Sequence, residues 1–236
     1  AGMTLLELVA QATQQLTDAQ VSFGHGTTNA RDEAAWLVLH ALGLPLDTPL
    51  DAEDSESNRP VAPEEYARAA TLLGARISTR KPAAYLTNEA WLQGVPFYVD
   101  ERVIVPRSLI AELLVDGSID YWLKESTHRV LDLCTGNGSL AVLAAMVYPE
   151  VQVTGADIST DALAVARINV DKHQLAERVQ LVESDGLTIV PGPFDLILCN
   201  PPYVNSASMA ALPAEFRAEP VLALAGGDDE IGRAHV

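Results

Sequence analysis

Two hydrophobic rhythms divide the chain. Through the first third, apolar residues return every three to four positions, the period of a helix with one buried face. "LLELVAQATQQL" puts Leu5, Leu8, Val9, Ala12 and Leu16 on one side of such a helix. "NARDEAAWLVLHALG" predicts a second, with Asn29 as N-cap and Gly43 as its stop. Trp36, Leu37 and Leu39 belong to its core face, and His40 is read as a plain helix-face residue. Residues 50–63, "LDAEDSESNRPVAP", are polar, acidic and proline-bearing, which marks a loop. A third helix is predicted from Glu64 to about Thr79. The rhythm changes over 90–105, where aromatic and β-branched residues flank Gly94-Val95-Pro96 and predict a hairpin. "RSLIAELLVDGSIDYWL", 107–123, returns to a helical period.

From 129 onward, short apolar runs alternate with helical stretches. "RVLDLC", "VQVTGAD", "RVQLVESD" and "FDLILCN" read as buried strands. "LAVLAAMVY" and "TDALAVARINVDKHQL" read as helices between them. This alternation predicts an α/β fold with a mostly parallel sheet covered on both faces. The predicted organisation is a small all-helical domain over 1–88, a linking β-hairpin over 89–106, and the α/β domain over 107–236. No internal repeat is visible.

Composition narrows the class only a little. Of the 236 residues, 48% are hydrophobic and 20% charged, as in an ordinary globular protein. The net charge of −17 repels nucleic acid and suits a basic partner, although on charge alone solubility is the simpler reading. The sequence offers no run long enough for a membrane span and no basic N-terminal region of a secretory signal. Ala1 and Gly2 ahead of Met3 read as an expression remnant. Cys134 and Cys199 lack metal-ligand spacing, sit in or beside apolar runs, and are read as small buried hydrophobes of a reducing cytosol. No metal site is expected.

The chemistry gathers at the strand ends. The first strand runs into "DLCTGNG", with Asp132 followed by Gly136 and Gly138. The second ends in Asp157, the third in Asp185, and the fourth in Asn200-Pro201-Pro202-Tyr203. In a parallel sheet all four share one edge, where ligands bind. Gly136 and Gly138 let backbone turn tightly against a ligand. Asp157 follows Gly136 by 21 residues, the spacing of an acid that accepts from ribose hydroxyls. If a nucleoside lies there, Asp185 could accept from the exocyclic amine of an adenine, and Asp132 could receive the ammonium of an amino-acid moiety, directly or through water. The order D-x-C-x-G-x-G is not the dinucleotide fingerprint G-x-G-x-x-G. Prolines after Asn200 end the strand abruptly and hold its amide in a stiff, extended loop.

These residues carry a resemblance. The C-terminal part is similar to class I S-adenosylmethionine-dependent methyltransferases, and "NPPY" resembles the signature of those acting on exocyclic or amide nitrogens. "PAAYLTNEAWLQGVPFYVDERVIVPRSLIAELL", "DLCTGNGSLAV" and "LPAEFRAEP" resemble the PrmB type within the HemK/PrmC superfamily. Those enzymes methylate a glutamine of the third large-subunit ribosomal protein. The resemblance implies S-adenosylmethionine as cofactor, with Asp132, Cys134, Thr135, Gly136, Asn137, Gly138, Asp157, Ile158, Asp185, Gly186 and Asn200 around it. It implies catalysis by Asn200, Pro201, Pro202 and Tyr203, a cytoplasmic protein, and a helical domain that engages a protein substrate. The Asn200 amide oxygen and Pro201 carbonyl would hold the glutamine NH₂, with Tyr203 packed against it.

The release-factor methyltransferases of the superfamily usually read "IPRPxTE" where this chain has Val105 to Glu112, and glycine where it has Cys134. Both departures point to the ribosomal-protein branch. A scaffold that binds a ribosomal protein without catalysis is the alternative outside enzymes. Arg107 and Glu112 read equally as substrate contacts or as a hairpin-to-helix ion pair. After the fourth strand the family needs a further helix and about three more strands. "LALAGGDD" resembles the approach to that helix, and "EIGRAHV" the end of the fifth strand, so residues are expected to be missing between Asp229 and Glu230 and after Val236.

Overall fold

A computed structural model describes residues 2–23, 27, 29–51, 53, 56–106, 109–117, 120, 128–185, 192–199, 221–224 and 234–235. The chain divides into two compact units, Ala1–Glu89 and Ala90–Val236.

The first unit is helical because its apolar stripes and caps agree. Helix α1 (Leu5–Asp18) is capped by the Thr4 hydroxyl, which accepts from the Glu7 N–H, and buries Leu5, Leu8, Val9, Ala12 and Leu16. Helix α2 (Ala30–Ala41) starts at Asn29, whose side chain accepts from the Asp32 N–H at 2.8 Å. It stops before Gly43, at a φ of +68° that suits glycine. Trp36, Leu37 and Leu39 are buried and His40 is exposed. Helix α3 (Pro63–Thr79) opens with proline, whose missing N–H costs nothing in a first turn. A short helix α4 (Ala83–Thr87), which the periodicity does not announce, follows. Its Ala83 and Ala84 are fully covered. One feature defies the pattern: Arg76 of α3 pairs with Glu33 of α2 at 3.0 Å, both almost fully buried. Arg76 also donates to the Ser22 carbonyl at 2.6 Å, and Thr27 donates to Glu33 at 3.2 Å.

The second unit begins with the hairpin of β1 (Glu89–Leu92) and β2 (Val95–Tyr98), joined at Gln93-Gly94 with both residues at positive φ. Its residues from Ala90 onward group with the α/β unit. Helix α5 (Leu109–Val115) is shorter than the 107–123 stretch of helical period, since Gly117 adopts a φ of +80° just past its end. The sheet uses β3 (Arg129–Leu133), β4 (Gln152–Asp157), β5 (Val179–Glu183), β6 (Leu196–Cys199), β7 (Val221–Leu224) and β8 (Ala234–His235). Helices α6 (Ser139–Val147) and α7 (Thr160–Lys172) make the crossovers after β3 and β4.

Strand order is β5-β4-β3-β6-β7-β8, parallel from β5 through β7, with β8 antiparallel. Leu222–Leu224, the start of the stretch that resembles the approach to a further helix, lies in strand β7, which pairs with β6. Ala234–His235 lies antiparallel beside it. The Asp229–Glu230 junction lies outside the described residues. Strand β3 is the switch point: the chain passes from it to β4 on one side and reaches β6 on the other. Ligands in such sheets sit beyond the carboxyl ends of the strands flanking that point. The core beneath is apolar, built from Val130, Leu140, Leu143, Val153, Val170 and Leu196.

Candidate functional site

Leu133, the last residue of β3, pairs in register with Ala156 of β4 and with Cys199 of β6. The three strands therefore end level, and the turn after β3 rises above them. Asp132 is 1% exposed, inside the sheet rather than on its rim. Its Oδ2 accepts from the Thr135 hydroxyl at 2.7 Å, while Oδ1 has no hydrogen bond of good geometry among the described residues. Burial pushes the carboxyl from 3.8 up to about 7, opposed by the Thr135 bond and the Ala141 N–H and helped by the negative Asp157. A buried acceptor with no well-aligned donor is costly, so this oxygen is the strongest pointer to a cationic or N–H-bearing ligand.

The turn itself is tightly specified. Cys134 leaves the strand at a φ of +61° and is exposed, which corrects its reading as a buried hydrophobe. Strand alternation ends at Leu133, so nothing directs the next side chain inward. Cys199, inside β6, is buried as expected, and burial lifts its thiol to about 12. Thr135 donates its N–H to the Ala156 carbonyl and fills space left by Gly155, where a Cβ would stand 2.9 Å from its Oγ1. Gly136 and Gly138 take φ of +54° and +80°. At Gly138 a Cβ would also come within 3.1 Å of the Ala166 Cβ on α7.

Asp157 braces the turn from β4. Its Oδ2 accepts from the Gly136 N–H and its Oδ1 from the Ser159 N–H, each at 2.9 Å. Each carboxylate oxygen can accept more than one bond, so both retain capacity toward a diol. Ile158 beside it is 64% exposed, the largest exposure among the described bulky apolar residues, just past the carboxyl end of β4. Asp185 is exposed just past the carboxyl end of β5. Asn137 is buried; its Oδ1 accepts from the Ser139 N–H at 3.2 Å, and its Nδ2 is unpartnered. The fold thus gathers Asp132, Thr135, Gly136, Asn137, Gly138, Asp157 and Ile158 around one turn. Gly186, Asn200, Pro201, Pro202, Tyr203 and Arg107 lie outside the described residues. Among the described residues there is no cluster of side chains able to hold a metal ion.

Sequence reading passed over Asn169 of α7, which is fully buried and bonded to the turn. Its signal was available: it stands three residues after Ala166, on the face that Gly138 meets. It also passed over Thr135 as the hydroxyl that holds Asp132.

A doubly wound sheet with an acid-braced glycine turn at its switch point is the architecture shared by nucleotide-binding enzymes, class I methyltransferases among them. Residues 115–225 match the family described as "Methyltransferase small domain". A ribosomal protein uL3 glutamine methyltransferase of Bordetella pertussis is 50% identical over 229 residues, covering 96% of this chain and 75% of that protein. Those of Burkholderia pseudomallei and Neisseria gonorrhoeae are 49% and 46% identical, over the same shares of each chain. This chain belongs to the family of ribosomal protein uL3 glutamine methyltransferases.

Proposed function

We propose that the protein transfers a methyl group from S-adenosylmethionine to the side-chain amide nitrogen of a glutamine in the large-subunit ribosomal protein uL3. The observation that carries the cofactor side of this reading is Asp132. Its buried Oδ1, which lacks a well-aligned donor, stands beside a glycine turn that lets a ligand approach backbone, and it suits the ammonium of an amino-acid moiety. The substrate side rests on the relatives, 46–50% identical over nearly the whole chain.

In this reading Asp132 and the 134–138 turn hold the amino-acid end, Asp157 accepts from the ribose hydroxyls, Ile158 packs on the base, and Asp185 with Gly186 receives its amine. The sulfonium cofactor, when bound, supplies an electrophilic methyl. The chain's own task is to present a weak nucleophile. An amide lone pair is delocalised into its carbonyl, and two acceptors on the NH₂ free it for attack. The Asn200 side-chain oxygen and the Pro201 carbonyl are assigned that task, with Pro202 stiffening the loop and Tyr203 packing against the amide plane. Alignment of this kind can lower a barrier by roughly 7–11 kcal/mol. The same acceptors stabilise positive charge as it grows on nitrogen.

The partner in this reading is a basic protein, met without direct contact to nucleic acid or membrane, and the net charge of −17 supports it. No described helix is long and apolar enough to cross a membrane. A cytoplasmic setting is part of the proposal, as is substrate engagement by the helical unit.

The test is methyl transfer from labelled S-adenosylmethionine to separate samples of uL3 and a peptide-chain release factor, with Asn200→Ala alongside. Label on a uL3 glutamine alone, lost in the variant, is the expected result. Label on the release factor would assign the sister activity. Cofactor binding with no transfer to either would turn the reading towards a binding scaffold.

A further inference from the structure

We infer that Asn169 is a positioning residue that locks the cofactor turn and the β1–β2 hairpin into one rigid piece, and so sets affinity for the cofactor; the inference rests on the cofactor reading above. Asn169 lies in the last turn of α7 and is 0% exposed. An asparagine there is a poor helix former and costly to bury unless all its groups are met. All are met, and every partner is backbone. Its Oδ1 accepts from the Tyr98 N–H at 2.6 Å, and its Nδ2 donates to the Tyr98 carbonyl and to the Asn137 carbonyl, each at 2.8 Å. One side chain thereby pairs with the end of β2 as a neighbouring strand would, and spends its remaining N–H on the residue between the two glycines.

Ala166 on α7 and His173 at its C-cap continue the same face. Ala166, one turn before, leaves only enough room for a hydrogen at Gly138. His173, one turn after, bonds through Nε2 to the Pro96 carbonyl at 2.7 Å and sets its ring 5.3 Å from Phe97. A carbonyl only accepts, so Nε2 carries the proton. The stripe Ala166, Asn169, His173 thus touches the turn, then turn and hairpin together, then hairpin alone. Only Asn169 spans both. With Asn137 held from behind and its Oδ1 bound to the Ser139 N–H, the turn keeps the conformation in which Gly138 donates to the Thr135 carbonyl at 2.8 Å. Thr135 in turn holds Asp132. A ligand meeting a turn already in place binds more tightly than one that must order it.

The experiment compares Asn169→Leu, Asn169→Ala and His173→Phe in the full chain. S-adenosylmethionine affinity is measured by calorimetry, and amide exchange at Gly138 is measured without ligand. Both Asn169 variants are expected to weaken affinity about tenfold, which is about 1.4 kcal/mol, and to speed Gly138 exchange at least as much. His173→Phe keeps the ring contact, loses only a hairpin bond, and is expected to leave both readouts within about twofold. A purely structural role would give the opposite pattern, so folded Asn169 variants with unchanged affinity and exchange overturn the inference. Equal shifts in His173→Phe overturn it too, as does loss of folding in both Asn169 variants while His173→Phe stays folded. If the unaltered protein binds no S-adenosylmethionine, the cofactor reading fails, and the exchange comparison alone decides the place of Asn169.

Discussion

Asp132 makes the protein's stability and its function pull against each other, and the size of the effect follows from its surroundings. The side chain is almost fully buried, with one oxygen bonded to Thr135 and the other free of a well-placed donor. Burial, with a smaller contribution from Asp157, raises the carboxyl from 3.8 to about 7. Between those values the folded protein keeps a proton that the unfolded chain has released. Folding stability from this group is therefore complete below about pH 4 and is lost as pH rises through 7. At roughly 1.4 kcal/mol for each tenfold change in acidity, the loss amounts to about 4 kcal/mol.

Asp132→Asn keeps the shape and the acceptor for Thr135 but cannot ionise. Relative to the unaltered protein, it should gain about 4 kcal/mol on going from pH 4 to pH 8, whatever its offset at pH 4. Other carboxylates, among them Glu65 and Asp100, both held near 2 by arginine partners, titrate alike in both proteins and cancel. Urea unfolding read by exchange of the β3 and β4 amides isolates the second unit. The variant should also bind S-adenosylmethionine more weakly, since its amide repels an ammonium. A stability difference that stays constant from pH 4 to pH 8 would show that Asp132 is ionised throughout, and would refute the argument.

Gly138→Ala forces a side chain onto a φ of +80° and against Ala166 at 3.1 Å, so it should destabilise the second unit by about 1–3 kcal/mol and weaken cofactor binding. Thermal unfolding and calorimetry check both, and a neutral result would mean that α7 yields easily at that point. In the first unit, Glu33→Gln strands the buried Arg76 charge and should cost about 3–5 kcal/mol, whereas Glu33→Met with Arg76→Leu together should recover much of that loss. Urea denaturation of the single and double variants decides whether the pair acts as one unit.

Where local chemistry sufficed, the residue order already contained the answer. The face of α1, the Asn29 cap, the Gly43 stop, a hairpin within 90–105 and the four strands follow from spacing, capping and turn preferences that act within a few residues, although the hairpin turns at Gln93-Gly94 and places Val95 and Pro96 in its second strand rather than in the turn. The placing of Asp132, Gly136, Gly138 and Asp157 at one sheet edge was legible too, because a parallel sheet sends every strand end the same way. Helix α4 was not, since five residues hold too little periodicity to be seen and packing alone decides their state.

What lay beyond the sequence was each contact between elements far apart in the chain. Arg76 on Glu33, Asn169 on both Tyr98 and Asn137, and the exposure of Cys134 depend on how helices and turns meet. Asp132 shows the division most plainly. Its type and position name it as a ligand acid, but only its burial between β4 and β6 raises its pKa, because desolvation belongs to the assembled sheet and not to the chain that forms it.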